Sequence, residues 1–74
     1  MPRARKLLYI AEGTNTKGEL NKVWVYKEGR SYYLSGSGMF GREHLCHPSV
    51  RGRDGIRREI FLVLQVKVDR FTMP

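Results

Sequence analysis

The chain reads as a mainly β domain: a small four-stranded antiparallel sheet or partial barrel, with one short helix or helical turn near residues 41–47. Three observations lead there. Residues 22–27 and 30–35 are rich in strand formers (Val23, Trp24, Val25, Tyr26, Tyr32, Tyr33) and flank a glycine, the pattern of a hairpin. Residues 59–69 form the longest apolar run and alternate apolar with polar from Leu64 onward. A third β-prone run, residues 6–12, precedes both.

Taken in order, residues 1–5 are expected to be a flexible basic arm and residues 71–74 a flexible tail, around a single domain spanning 1–74. The first strand puts Leu7 and Tyr9 on one face, Leu8 and Ile10 on the other. Residues 13–19 carry two glycines and no periodicity, and so form a loop. In the hairpin, a two-residue Glu28-Gly29 turn would force Glu28 to positive φ, whereas a Lys27-Glu28-Gly29 loop leaves only Gly29 left-handed. The three-residue loop is therefore expected. It pairs Tyr26 with Arg30 and Trp24 with Tyr32. Trp24, Tyr26, Tyr32 and Leu34 then share one face, and Val23, Val25 and Tyr33 the other. A slip of one residue would exchange these partners. Residues 35–41 are rich in Gly and Ser. Residues 42–47 have room for one helical turn before Pro48, because the residue preceding proline avoids the helical region. Residues 49–58 read as loop. In the final run, Ile60, Leu62, Leu64, Val66 and Val68 share one parity, so the expected strand spans about 35 Å.

A domain of 74 residues buries only about 60% of the surface its unfolded chain exposes. Cys46 is the single cysteine, so no internal disulfide compensates. Residues 7–11 are too short for a secretory core, and Gln65 and Lys67 interrupt the last run well before the ~20 residues that span a bilayer. A soluble, cytoplasmic monomer with no membrane partner is expected. Fourteen Lys and Arg against seven Asp and Glu give a net charge of +7 and a pI near 10.1. Such a chain is drawn to nucleic acid, anionic membranes and acidic protein faces. The excess of arginine over lysine suits bidentate contacts with phosphate or carboxylate, although a GC-rich genome would produce the same bias.

Two motifs invite chemistry. Gly36-Ser37-Gly38-Met39-Phe40-Gly41 has the spacing of a dinucleotide fingerprint, but that site needs a βαβ unit of about 30 residues, and Pro48 cuts off the helix. A turn is expected instead, with Met39 and Phe40 folded back onto the sheet or exposed to a partner. His44, Cys46 and His47 could ligate metal, yet structural zinc wants a second ligand pair, and a closed site would need Asp54 or a carboxylate like it. No metal and no cofactor are expected. As a nucleophile, Cys46 beside His44 or His47 lacks an orienting group and an oxyanion hole. The expectation is a core cysteine and no enzyme.

The basic cluster is the better signal. Arg51, Arg53, Arg57 and Arg58 fall within eight residues, diluted by Asp54, and are expected to converge with Arg3 and Arg5 on one edge. With Met39 and Phe40 they make the candidate surface for a partner or polyanion. Direct phosphate contact would add a salt-dependence slope of about −0.7 to −0.9 per contact. No RNP, helix-turn-helix or KH signature supports sequence-specific readout. The first strand, or the second half of the last, could also accept an added strand at an open sheet edge.

In size, charge, arginine content and β layout the chain resembles the small RNA-polymerase-binding transcription regulators of bacteriophages, that of a Xanthomonas phage among them. The resemblance implies a protein that binds host RNA polymerase in the bacterial cytoplasm, contacting the β′ amino-terminal region and the β flap. It would inhibit initiation by σ-factor displacement and promote antitermination. The alternative reading is a small basic RNA- or DNA-binding protein that acts through phosphate contacts.

Overall fold

A computed structural model describes residues 5–36 and 38–74, so Arg3 and the arm before Arg5 lie outside the described residues. The elements run β1 (Lys6–Thr14), β2 (Leu20–Glu28), β3 (Ser31–Gly36), β4 (His44–Leu45), α1 (Gly52–Leu64) and β5 (Lys67–Thr72). The fold is mainly β. The strands form one antiparallel sheet in the order β4-β3-β2-β1-β5, one strand more than the four expected.

The helix lies at residues 52–64, not near 41–47, where the chain instead turns and then pairs His44 and Leu45 with Leu34 and Tyr33. Half of the long strand expected over residues 59–69 is thus helix. Ile56, Ile60 and Leu64 recur every fourth residue, which stacks them on one helical face. Ile56 and Ile60 are fully buried and Leu64 partly so. A strand would have buried Leu62 with them, yet Leu62 is 65% exposed. Gln65 ends the helix in the left-handed region at φ 57°, and both its backbone N–H and its side-chain amide donate to the Phe61 carbonyl. Val66 and Val68 then return to the core, and only from there on does the expected alternation hold. β5 continues through Phe71 and Thr72, two residues expected to lie in the tail.

The β2–β3 hairpin is three residues out of the expected register. Tyr26 pairs with Tyr33 and Val25 with Leu34, across a Gly29-Arg30 turn. Gly29 takes the first central position at φ 62°, the place a II′ turn reserves for glycine, while Glu28 stays in the strand opposite Ser31. No bulky residue is strained. Val23, Val25 and Leu34 now share the buried face, and Trp24 and Tyr26, expected on the face of Leu34, point to the other side with Tyr33.

α1 covers one face of the sheet. Beneath it Ala11, Val23, Val25, Leu34, Val66 and Val68 meet Ile56 and Ile60, with Cys46 at the margin and Tyr9, Tyr32, Val50 and Phe71 around it. β1 is interior, so the first strand has no free edge. Its pairing with β5 shifts register between Glu12 and Gly13, and a Cβ on Gly13 would sit 2.0 Å from the Lys67 carbonyl oxygen. Only glycine fits there. Among the described residues, no helix is long and apolar enough to cross a membrane.

Replacing Ile60 by alanine should cost about 2–5 kcal/mol in urea denaturation, the range for emptying a buried aliphatic site. Leu62→Ala should stay within about 0.5 kcal/mol of wild type. Equal losses for both would mean that residues 60 and 62 share a buried strand face.

Candidate partner-binding surface

The outer surface of α1 has two halves. Arg51 at the N-cap is followed by Arg53, Arg57 and Arg58, while Phe61, Leu62 and Val63 occupy the last turns. Arg51 and Arg53 sit at the positive end of the helix dipole, no side chain caps that end, and no basic residue lies in the last turn, where it would be favourable. Helix stability does not account for the placement of the arginines.

Their surroundings differ. Arg53, Arg57 and Phe61, four residues apart, run along the side nearest β1 and β5. The Arg53 guanidinium lies 5.4 Å from the Tyr9 ring centroid, and that of Arg57 is 5.4 Å from Phe71. Both arginines lie over aromatic rings at the edge of the core while leaving their charge at the surface. Arg57 also approaches Asp54 at 3.6 Å, an exposed pair that contributes little. Arg58 stands beside a shallow cleft between α1 and β5, lined by Asp54, Arg57, Phe61, Lys67 and Val68 as well.

The apolar half is unusual in being exposed. Phe61, Leu62 and Val63 are consecutive and all open to solvent, which a helix that only covers its own sheet does not require. Across a second shallow depression from Val63 and Leu64 lies the turn with Met39 and Phe40. Met39 is half-buried; Phe40 is 94% exposed and held at φ 54°. The fingerprint-like glycine stretch thus presents a phenylalanine at the end of β3, with β4 following where a dinucleotide site needs a helix.

Arg5 does not join this surface. It lies on the helix-free face with its guanidinium 3.9 Å from the Tyr33 ring centroid, bonded to Glu43 and, at 3.1 Å, to Glu28. Those bonds, Glu43's first, raise its pKa further and neutralise its charge locally. The arm residue and the helix arginines therefore occupy opposite faces. The helix-free face holds Leu7, Ile10, Trp24, Tyr26 and Tyr33, each half-buried, with Leu45 exposed beside them. Lys22 and Arg70 lie toward one end of it, Arg70 3.5 Å from Glu12. The available sheet edges are the short β4 and the charged β5.

His44 and Cys46 come together on one side of the chain. They lie in extended chain, where alternate side chains share a face, and both turn toward α1. His44 Nε2 is 2.8 Å from Glu59 Oε2, and the ligand atoms of His44, Cys46 and Glu59 all lie within 4.8 Å of one another. Burial, then the charge of Glu59, pushes the Cys46 thiol up to about 11, which leaves it a poor nucleophile at neutral pH. His47 is exposed and bonds Ser49 instead.

Sequence reasoning missed Phe61, Leu62, Val63 and Glu59 because it placed them in a strand. The fourfold spacing of Ile56, Ile60 and Leu64 was the signal that would have found them. No protein-family model matches the chain, and neither a curated protein nor a solved structure matches it.

Between about pH 9 and the native Cys46 value of about 11, the folded chain keeps a proton that the unfolded chain releases. Stability should therefore fall as pH rises through that window, and the fall should be shallower in Cys46→Ala. Urea denaturation of both proteins across the window measures the difference; identical slopes would show that the thiol does not contribute.

Proposed function

We propose that this is a non-enzymatic regulator that binds bacterial RNA polymerase through the outer surface of α1. The observation that carries the reading is the exposed Phe61-Leu62-Val63 run, continuous with Arg57 and Arg58 and flanked by Phe40. Bare phosphate would reward the arginines alone. A protein surface with an apolar groove and an acidic rim would bury both halves, with the aromatics and arginines as its anchors. Polymerase as that partner follows from the resemblance in size, charge and β layout to the phage regulators. On this reading the protein works as a monomer in the host cytoplasm, against the β′ amino-terminal region and the β flap. Promoter-dependent initiation falls as σ is displaced, and terminators are read through.

A second reading has its own support. Trp24, Tyr26 and Tyr33 lie side by side on β2 and β3 of the helix-free face, an arrangement on which single-stranded RNA or DNA stacks its bases.

Capture from a nuclease-treated bacterial lysate separates the two. Wild-type protein should retain core RNA polymerase and suppress σ-dependent transcription. Leu62→Glu and Arg58→Glu should each weaken retention by roughly 30-fold or more, the loss expected for an interface hot spot, while leaving the fold intact. Normal σ-dependent transcription at saturating protein would overturn the polymerase reading. Oligonucleotide binding that falls steeply with salt and with Trp24→Ala, without polymerase retention, would establish the nucleic-acid reading in its place.

A further inference from the structure

We infer that His44, Cys46 and Glu59 form a binding site for a divalent transition-metal ion of the zinc type, joining β4 to the middle of α1. The three groups come from two elements far apart in sequence: an edge strand with its adjoining residue, and the helix that packs across the sheet. Their ligand atoms lie within 4.8 Å of one another, with His44 Nε2 and Glu59 Oε2 at 2.8 Å. Around tetrahedral zinc, ligand atoms stand about 3.3–3.6 Å apart, given bonds of about 2.0–2.3 Å. A bound ion would part the imidazole and carboxylate by about half an ångström and draw the sulfur in by up to about 1.2 Å, adjustments within the reach of side-chain rotation.

The donor chemistry is selective. A thiolate, a neutral imidazole and a carboxylate carry two negative charges together, which match a divalent cation. Sulfur with nitrogen favours zinc over magnesium or calcium, which want oxygen ligands. Burial grades across the site. Cys46 is buried, the Glu59 side chain is 16% exposed and that of His44 33%, so a fourth position opens on the histidine side to water or a partner's ligand. His47 does not supply it in this arrangement: it is exposed and its ring nitrogens lie outside the cluster of ligand atoms. The site also stands where the fold gains most from a tie. β4 pairs with the sheet through two residues, extended by one bond from the Cys46 N–H to the Tyr32 carbonyl, and Cys46, the single cysteine, is free. Small domains without disulfides commonly use a metal for this purpose.

The test is a zinc titration of the reduced full-length chain in competition with a chromophoric chelator, repeated with cobalt to record thiolate-to-metal charge transfer in the near ultraviolet. One equivalent should bind, raise the melting temperature and give the charge-transfer band, while magnesium and calcium do neither. Glu59→Gln and His44→Gln should each weaken zinc binding at least tenfold, and Cys46→Ala should abolish the cobalt band. His47→Gln should leave both unchanged. If Cys46→Ala fails to fold, the two glutamine variants and the cobalt spectrum of the wild type still decide. No stoichiometric binding, a cobalt complex without a thiolate band, or equal loss in His47→Gln would overturn the assignment.

Discussion

The packing of Ile56 and Ile60 onto Val25, Leu34 and Ala11 is the interaction on which the rest depends. It is the contact between α1 and the sheet, and it supplies most of the fully buried apolar volume among the described residues. A domain of two layers has one interior seam. Everything outside it, the back of the sheet and the outside of the helix, is surface whatever its composition. The aromatic row of Trp24, Tyr26 and Tyr33 and the run Phe61-Leu62-Val63 are both consequences of that arithmetic. The chain has more apolar side chains than one seam can take in. The surplus is gathered in patches, with basic side chains beside it, which favours recognition over mere packing.

The division between what could and could not be read from the residues follows from how each signal is encoded. Strand content was legible, because Val23, Val25, Tyr32 and Tyr33 are strand formers on both sides of a glycine. Register was not. The expected Lys27-Glu28-Gly29 loop and the observed Gly29-Arg30 turn join the same strand formers in registers three residues apart, and what separates them is whether Val25 meets Leu34 in the core, a tertiary fact. Residues 59–69 misled for a related reason. Five successive apolar residues carry no period of their own, so the branched side chains argued for a strand while the stripe that begins at Ile56 argued for a helix. Burial of Ile56 and Ile60 decided for the helix, and the left-handed turn at Gln65 let both periodicities occupy one run. Of the candidate surface, the arginines and Phe40 could be named in advance, whereas the exposed apolar residues between them could not. Their exposure exists only because the helix turns them outward.

The small cluster at the helix–β4 junction has the same origin. His44 and Cys46 are near neighbours in the chain and looked incomplete as ligands, lacking a carboxylate. Glu59 arrives through the fold, one residue before the buried Ile60, so the packing that buries Ile60 also delivers the carboxylate to the histidine. The core and the polar cluster are therefore one construction seen from two sides.

β1, flanked by β2 and β5, has a further consequence for how the chain reaches this state. Its pairing with β2 closes a short loop and can form early, but its pairing with β5 joins Ala11 to Phe71, roughly 60 residues apart, and waits for nearly the whole chain. Until β5 arrives, one side of β1 is an unpaired edge, and Gly13 keeps open the narrow gap into which Lys67 must fit. During synthesis the meander β1-β2-β3 is consequently a nascent sheet with a vacant slot, exposed to strands of other chains for as long as the helix and β5 are still being made.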